Sequence, residues 1–98
     1  MEEIRIKKGN YGFYWVFTIK EDGQEKDLTD LTPYLKVWNS SGELVKQKPC
    51  SVVDNKVKCL IEQGDFDTVG VYYGEIELQR NEYVEDTESF ILRVLASV

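Results

Sequence analysis

The 98-residue sequence contains no histidine, and it has only two cysteines and two prolines. Without histidine there is no Ser-His-Asp triad, no histidine general base and none of the commonest metal ligand. Two cysteines alone do not make a zinc site. The sequence also lacks a glycine-rich phosphate loop and a nucleophile elbow. We therefore expect a protein that is not an enzyme and that uses no cofactor or metal.

Long apolar runs and an excess of basic residues are also missing. No apolar segment reaches the length of a signal peptide or a membrane span. Lys and Arg number 12 against 18 Asp and Glu, which gives a net charge of -6 at pH 7. A negative surface is repelled by nucleic acid phosphates and by anionic lipid. We expect neither nucleic acid nor a membrane as a partner, and we expect synthesis in the cytoplasm.

Strand-like alternation dominates the residues that are present. Turn residues recur about every 8 to 12 positions, and no segment shows the period of an amphipathic helix. At 98 residues the chain is long enough for one modest core and too short for two. We therefore predict a single domain over residues 1–98, an all-β, immunoglobulin-like antiparallel β-sandwich of about seven strands.

The strongest predicted strand is residues 11–20, which we expect at the centre of a sheet. Its inward face carries four large apolar side chains, those of Phe13, Trp15, Phe17 and Ile19. Residues 34–39 form another predicted strand, in which Leu35 and Val37 face the core and Trp38 faces outward. Residues 3–8, where isoleucines alternate with charges, are predicted to be a short edge strand.

Residues 50–62 are predicted to form a hairpin about Asp54 and Asn55, which both tolerate left-handed backbone. Counting outward from this turn places Cys50 opposite Cys59, at a non-hydrogen-bonded pair where side chains approach most closely. Two alternatives remain open for this pair. The cysteines form a cross-strand disulfide, or they are two reduced thiols packed in the core, as is common in the cytosol.

The segment 64–78 joins an acidic turn to a strand that the other strands are expected to surround. Asp65 and Asp67 favour a turn, and we expect Gly70 to supply a backbone conformation with positive φ. The alternation that follows directs Tyr72 inward. We predict that Asp67, Gly70 and Tyr72 form a tyrosine corner, in which the hydroxyl bonds to upstream backbone. The alternative is an ordinary turn followed by a core tyrosine.

The paired carboxylates of Asp65 and Asp67 also match the chemistry of calcium ligands. The segment lacks the glycine and the distal glutamate of an EF-hand loop, so turn formation and a solvated acidic rim explain the pair more simply. The alternative function is a free-standing sandwich that binds a small ligand, a carbohydrate or calcium through its turn loops.

Large apolar side chains also lie opposite the predicted core face. They are Tyr34 and Trp38 on one strand, and Ile91 and Leu95 on the last strand. An apolar patch on an acidic domain marks a surface that a partner covers, so these four residues are the candidate interface. The alternative is that they enter the core of the second sheet through a bulge, or form a partly buried rim.

Three segments carry a family resemblance: FTIKEDGQEKDLTDLTPYLKVWNSSGELV, KVKCLIEQGDFDTVGVYYGEIEL and FILRVL. Their order and their turn residues resemble the N-terminal immunoglobulin-like domain of phage baseplate upper proteins and related tail modules. The residues that carry the resemblance are Asp22, Gly23, Asp27, Leu28, Thr29, Gly42, Asp65, Asp67, Thr68, Gly70 and Tyr72. The segment DTVGVYY is also similar to a strand of antibody variable domains, but Gly74 replaces their cysteine and excludes an antibody-type disulfide core.

The resemblance to phage tail modules implies a structural role in the virion. In that family the domain attaches a larger receptor-binding apparatus to the tail. We therefore expect a module that is made in the host cytoplasm and incorporated in the tail or baseplate. Its expected partners are other tail or baseplate proteins, or further copies of itself.

Overall fold

The computed structural model describes residues 2–97, which contain eleven β-strands and no α-helix. The strands are β1 (Glu3–Lys7), β2 (Phe13–Phe17), β3 (Lys20–Glu21), β4 (Gln24–Glu25), β5 (Thr32–Asn39), β6 (Leu44–Pro49), β7 (Ser51–Val53), β8 (Lys56–Ile61), β9 (Gly70–Arg80), β10 (Tyr83–Asp86) and β11 (Phe90–Leu95). No helix long and apolar enough to cross a membrane occurs among these residues. The all-β prediction is confirmed. The strand count exceeds about seven because β3 and β4 form a hairpin of their own and β10 is separate from β11.

The strands form two main sheets and one small hairpin. The larger sheet has the order β1-β11-β9-β5-β6, with β10 also paired to β9; the smaller sheet has the order β2-β8-β7; β3 pairs only with β4. All pairs are antiparallel except β1 with β11, which are parallel. The purely antiparallel prediction is therefore wrong at this strand, because the chain crosses from β1 in one sheet to β2 in the other without forming a hairpin.

The core lies between the inner faces of the two main sheets, which gives a β-sandwich-like arrangement. The larger sheet contributes Leu35 and Val37, both fully buried, as the alternation predicts. The smaller sheet contributes Phe17, whose ring stacks on Phe90 of the larger sheet at a centroid distance of 5.4 Å. Trp15 is half-buried against the same core, as predicted. Each large apolar side chain that becomes fully buried contributes about 1.5 to 3 kcal/mol.

The strand predicted over residues 11–20, at the centre of a sheet, is shorter in the structure. It is β2, Phe13–Phe17, and it lies at an edge of the smaller sheet, while Lys20 belongs to β3. Its inward face is as predicted, since Phe13, Trp15 and Phe17 all pack against the core. The alternation of a strand determines which side chains are buried. It does not determine how many neighbouring strands pair with it, and the prediction was wrong on that point.

The hairpin of β7 and β8 forms about Asp54 and Asn55, which have φ angles of 51° and 59°. Its register places Val52 opposite Val57, as the two-residue turn predicts. One step further out, Cys50 and Cys59 are joined by a disulfide with a Cα–Cα distance of 4.8 Å. Of the two alternatives, a disulfide or two reduced thiols, the structure contains the disulfide. Closing a short loop in this way stabilises a fold by about 2 to 3 kcal/mol.

Candidate functional site

Four apolar side chains line up across the outer face of the larger sheet. Ile91 lies opposite Tyr73, Tyr73 lies opposite Trp38, and Trp38 lies opposite Leu44. Tyr73 and Leu44 are 42% and 47% exposed, and the other two side chains are half-buried. Directly opposed residues in a sheet have Cβ atoms about 4.5 to 5.5 Å apart, so the four form one continuous strip. We call Leu44, Trp38, Tyr73 and Ile91 the apolar row.

The structure brings together two of the four predicted interface residues. Trp38 and Ile91 are both neighbours of Tyr73, on either side of β9. Tyr34 is separated from Trp38 by Lys36 on the same strand, and Leu95 is separated from Ile91 by Arg93. These two residues therefore lie on the same face but outside the apolar row.

The sequence prediction missed two members of the apolar row. Alternation along β9 directs Tyr73 outward once Tyr72 is directed inward, so the sequence does carry a signal for Tyr73. Leu44 has no such signal. Its position opposite Trp38 depends on a register shift between Val37 and Trp38, which changes the facing residues of β6.

On one side, the apolar row is bordered by a compensated ion pair. The Lys36 ammonium lies 2.7 Å from the Glu77 carboxylate and 5.3 Å from the centre of the Trp38 ring. The hydrogen bond from Lys36 lowers the pKa of Glu77, and the same bond raises the pKa of Lys36. Both groups are charged at neutral pH and neutralise each other, which is typical of the polar rim of an interface.

The other side of the apolar row carries a second set of charges. Glu3 on β1 lies 2.7 Å from Arg93 and 2.6 Å from Arg5. The hydrogen bond from Arg93, followed by that from Arg5, lowers the pKa of Glu3. The apolar row therefore has paired charges on both sides.

The predicted corner contains the tyrosine bond but not the predicted glycine conformation. The Tyr72 hydroxyl donates to the backbone carbonyl of Thr68 at 2.8 Å, and the ring packs against the core. Gly70 does not have a positive φ, because it is already extended and paired with Val94 in the sheet. Gly64 has the positive φ instead, at 89°. Asp67 is exposed and accepts no side-chain hydrogen bond within residues 2–97.

Tyr72→Phe is expected to lower the free energy of unfolding by about 1 kcal/mol, because it removes one hydrogen bond and keeps the ring. The measurement is the urea midpoint of unfolding. Tyr11→Phe is the matched control, since the Tyr11 side chain is 53% exposed and removing its hydroxyl breaks hydrogen bonds to water alone. Equal midpoints for the two variants would mean that the bond to Thr68 does not hold the corner.

The acidic turn is organised around Asp65. Its carboxylate accepts a hydrogen bond from the amide of Glu62 at 2.8 Å and from the buried ammonium of Lys48, and it lies 3.2 Å from Lys46. Burial raises the pKa of Asp65, but the hydrogen bonds from Lys48, Glu62 and Lys46 outweigh this effect and lower the pKa overall. Two lysines therefore neutralise this carboxylate.

The neutralised carboxylate of Asp65 argues against the alternative in which this turn binds calcium. A calcium site needs several oxygen ligands whose negative charge is not already neutralised. The Asp65 carboxylate is already paired with the ammonium groups of Lys46 and Lys48. Within residues 2–97 no three Cys, Asp or Glu side chains are grouped so as to hold a metal ion. A cavity of about 390 Å³ does lie beside the turn, lined in part by Val37, Asp65 and Tyr72. The arrangement favours a structural turn over a metal site.

Comparison of the chain with models of known protein families and with curated proteins found no match. The class of this protein is therefore defined by its own fold and surface. It is an all-β, β-sandwich-like domain with an apolar row on one outer face.

Proposed function

We propose that this chain is a non-enzymatic attachment module that docks on another protein through the apolar row. The observation that carries the proposal is the row itself. Four apolar residues form a continuous strip on a domain with a net charge of -6. A partly exposed aromatic strip between paired charges is the composition of an interface core and its rim.

The proposed fold class is immunoglobulin-like. The pairing order β2-β8-β7 in one sheet and β11-β9-β5-β6 in the other supports this class. It corresponds to the B-E-D and G-F-C-C′ orders of immunoglobulin sandwiches. The bond from Tyr72 near the start of β9 supports it as well, since β9 occupies the place of strand F, where the tyrosine corner occurs.

The proposed setting is a phage tail or baseplate, where the domain docks on other tail proteins and helps to attach the receptor-binding apparatus. The residues that carry the family resemblance support this setting by their positions. Asp22, Gly23 and Gly42 all occupy turns with positive φ. The disulfide between Cys50 and Cys59 is in keeping with a protein that leaves the reducing cytoplasm in a particle.

Trp38→Ala and Tyr73→Ser are expected to weaken assembly at least tenfold, because truncating an aromatic anchor in an interface removes about 1.4 kcal/mol or more. Assembly is measured by sedimentation equilibrium for self-association and by biolayer interferometry against purified tail and baseplate proteins. Tyr11→Ser is the matched control, since Tyr11 is 53% exposed and lies outside the strands.

The stability of the same variants separates an interface role from a core role. A core tryptophan changed to alanine loses about 3 to 5 kcal/mol, and Trp38→Ala should lose clearly less than this in urea unfolding. A loss of that full size would show that Trp38 belongs to the fold. Wild-type binding by both variants would reject the apolar row as the docking surface.

A further inference from the structure

Among residues 2–97, both edge strands of the smaller sheet, β2 and β7, lack a further partner strand, and β2 is the longer of the two. Within residues 2–97, β2 pairs with β8 and with no other strand. The hairpin turn directs the backbone of Val57 and Cys59 toward β2, and the register places these residues opposite Phe17 and Trp15. Along an antiparallel strand, the N–H and C=O groups of successive residues point alternately toward and away from the neighbouring strand. The N–H and C=O groups of Tyr14 and Val16 therefore point away from β8.

Three other edge strands in the described part of the chain, β1, β6 and β7, are protected against further pairing. The edge strand β1 carries Arg5 and Lys7, and β7 has only three residues. The edge strand β6 contains a register shift, lysines and a terminal proline. Charges, proline, bulges and short length are the usual devices that keep an edge from pairing with another chain. The β2 sequence, FYWVF, has none of these devices.

A groove of about 830 Å³ runs beside the open edge, between the two main sheets. Phe17, Ile76 and Phe90 contribute apolar side chains to its lining, while Val16 and Thr18 form the side nearest the edge. A strand that paired with β2 would place alternate side chains in this groove and the others over the outer face. The edge offers main-chain hydrogen bonds and the groove offers side-chain pockets, which are the two components of strand addition.

The charges around the groove indicate which segment fits. Its lining contains three carboxylates, those of Glu2, Asp22 and Glu88, and one ammonium, that of Lys20. On the outer face, the ammonium groups of Lys58 and Lys56 lie over the Tyr14 ring and at Thr18. The surplus of negative charge is therefore confined to the groove, where it favours positively charged side chains among those that enter it. A second copy of this chain fits less well, because each copy has a net charge of -6.

We propose that β2 is a strand-addition site for an extended, basic segment of a partner protein in which apolar residues alternate with polar ones. The apolar row lies on the outer face of the other sheet, so this site is separate from the docking surface proposed above. The attached segment would form main-chain hydrogen bonds with Tyr14 and Val16 and would cover Phe17 and Phe90.

The test uses a synthetic peptide of about eight residues, the length of an ordinary strand, in which valine alternates with lysine and threonine. Binding to the whole chain is measured by isothermal titration calorimetry. We expect Val16→Pro to weaken binding by about tenfold or more, because proline removes the N–H that points to the open edge. Val16→Thr is the matched control, since it keeps the N–H and the strand propensity, and its binding should stay within about twofold of wild type.

Two further peptides keep the test decisive if Val16→Pro does not fold. A peptide that is N-methylated at every residue cannot donate main-chain hydrogen bonds, and it should bind the wild-type chain at least about tenfold more weakly. A peptide with glutamate in place of lysine should also bind more weakly, and added salt should reduce the difference.

Three outcomes would overturn the proposal. They are equal binding of the methylated and unmethylated peptides, absence of binding by the basic peptide, and self-association that Val16→Pro abolishes, which would make the occupant a second copy. Trp38→Ala should leave peptide binding unchanged. Failure of the strand-addition site is therefore distinguishable from failure of the apolar row.

Discussion

Asp65→Asn should destabilise the folded protein by about 3 kcal/mol, because it leaves the buried charge of Lys48 without its main partner. The side chains of Lys48 and Asp65 are each only 9% exposed. Glu62 also lies 3.1 Å from the Lys48 ammonium, but its side chain is 63% exposed and screened by water. We therefore expect the lower end of the range for a broken buried pair, measured by urea unfolding at pH 7.

The same substitution should flatten the dependence of stability on pH. The pKa of Asp65 is lowered in the folded state, so the unfolded chain takes up the proton first as the pH falls. The stabilisation is complete above the ordinary aspartate pKa of about 4 and is lost as the pH falls through the lower folded pKa. Wild-type urea midpoints should drop below about pH 4, and those of Asp65→Asn should drop less.

Asp67→Asn is the control for this prediction, since Asp67 belongs to the same turn but is exposed. It should change the free energy of unfolding by less than about 0.5 kcal/mol. In a double variant, Lys48→Met should recover part of the loss caused by Asp65→Asn, because it removes the uncompensated charge. Equal effects of Asp65→Asn and Asp67→Asn would show that the pair with Lys48 does not stabilise the turn.

Local rules were sufficient to predict the hairpin and the buried faces. A two-residue turn at Asp54 and Asn55 fixes the register of its strands, so the opposition of Cys50 and Cys59 follows by counting. Alternation along β5 likewise fixes Leu35 as buried and Trp38 as outward. Each of these predictions depends on residues that are close in the chain.

The features that were not predicted depend on contacts between distant segments. Lys48 and Asp65 belong to different segments, and their pairing requires that the inner face of β6 meets the acidic turn. The apolar row requires three registers at once, including the shift that places Leu44 opposite Trp38. Alternation within one strand contains no information on which strands become its neighbours. For the same reason the open edge of β2 was not foreseen.

Gly70 and Gly74 show how a glycine can be required for two different reasons. The sequence indicates Gly70 as a residue needed for its backbone conformation, but Gly70 is extended. Gly74, in the same strand, is required for space. A Cβ atom built on Gly74 would lie 2.3 Å from Cζ of the Phe90 ring. Phe90 is only 5% exposed, and its ring stacks on Phe17, so it has little freedom to move aside.

Gly74→Ala is therefore expected to destabilise the protein by about 3 kcal/mol, at the upper end of the cost of overpacking a core. Gly70→Ala is the matched control, because the nearest atom to its added Cβ would be 3.5 Å away, at ordinary contact distance. That variant should be neutral or slightly stabilising, since alanine restricts the unfolded chain. Both are measured by urea unfolding.

Phe90→Leu should restore part of the stability in the Gly74→Ala background, because it removes the ring that the methyl group meets. If Gly74→Ala were as stable as Gly70→Ala, the Phe90 ring would have to lie elsewhere, and the close packing of β9 against β11 at this point would be wrong.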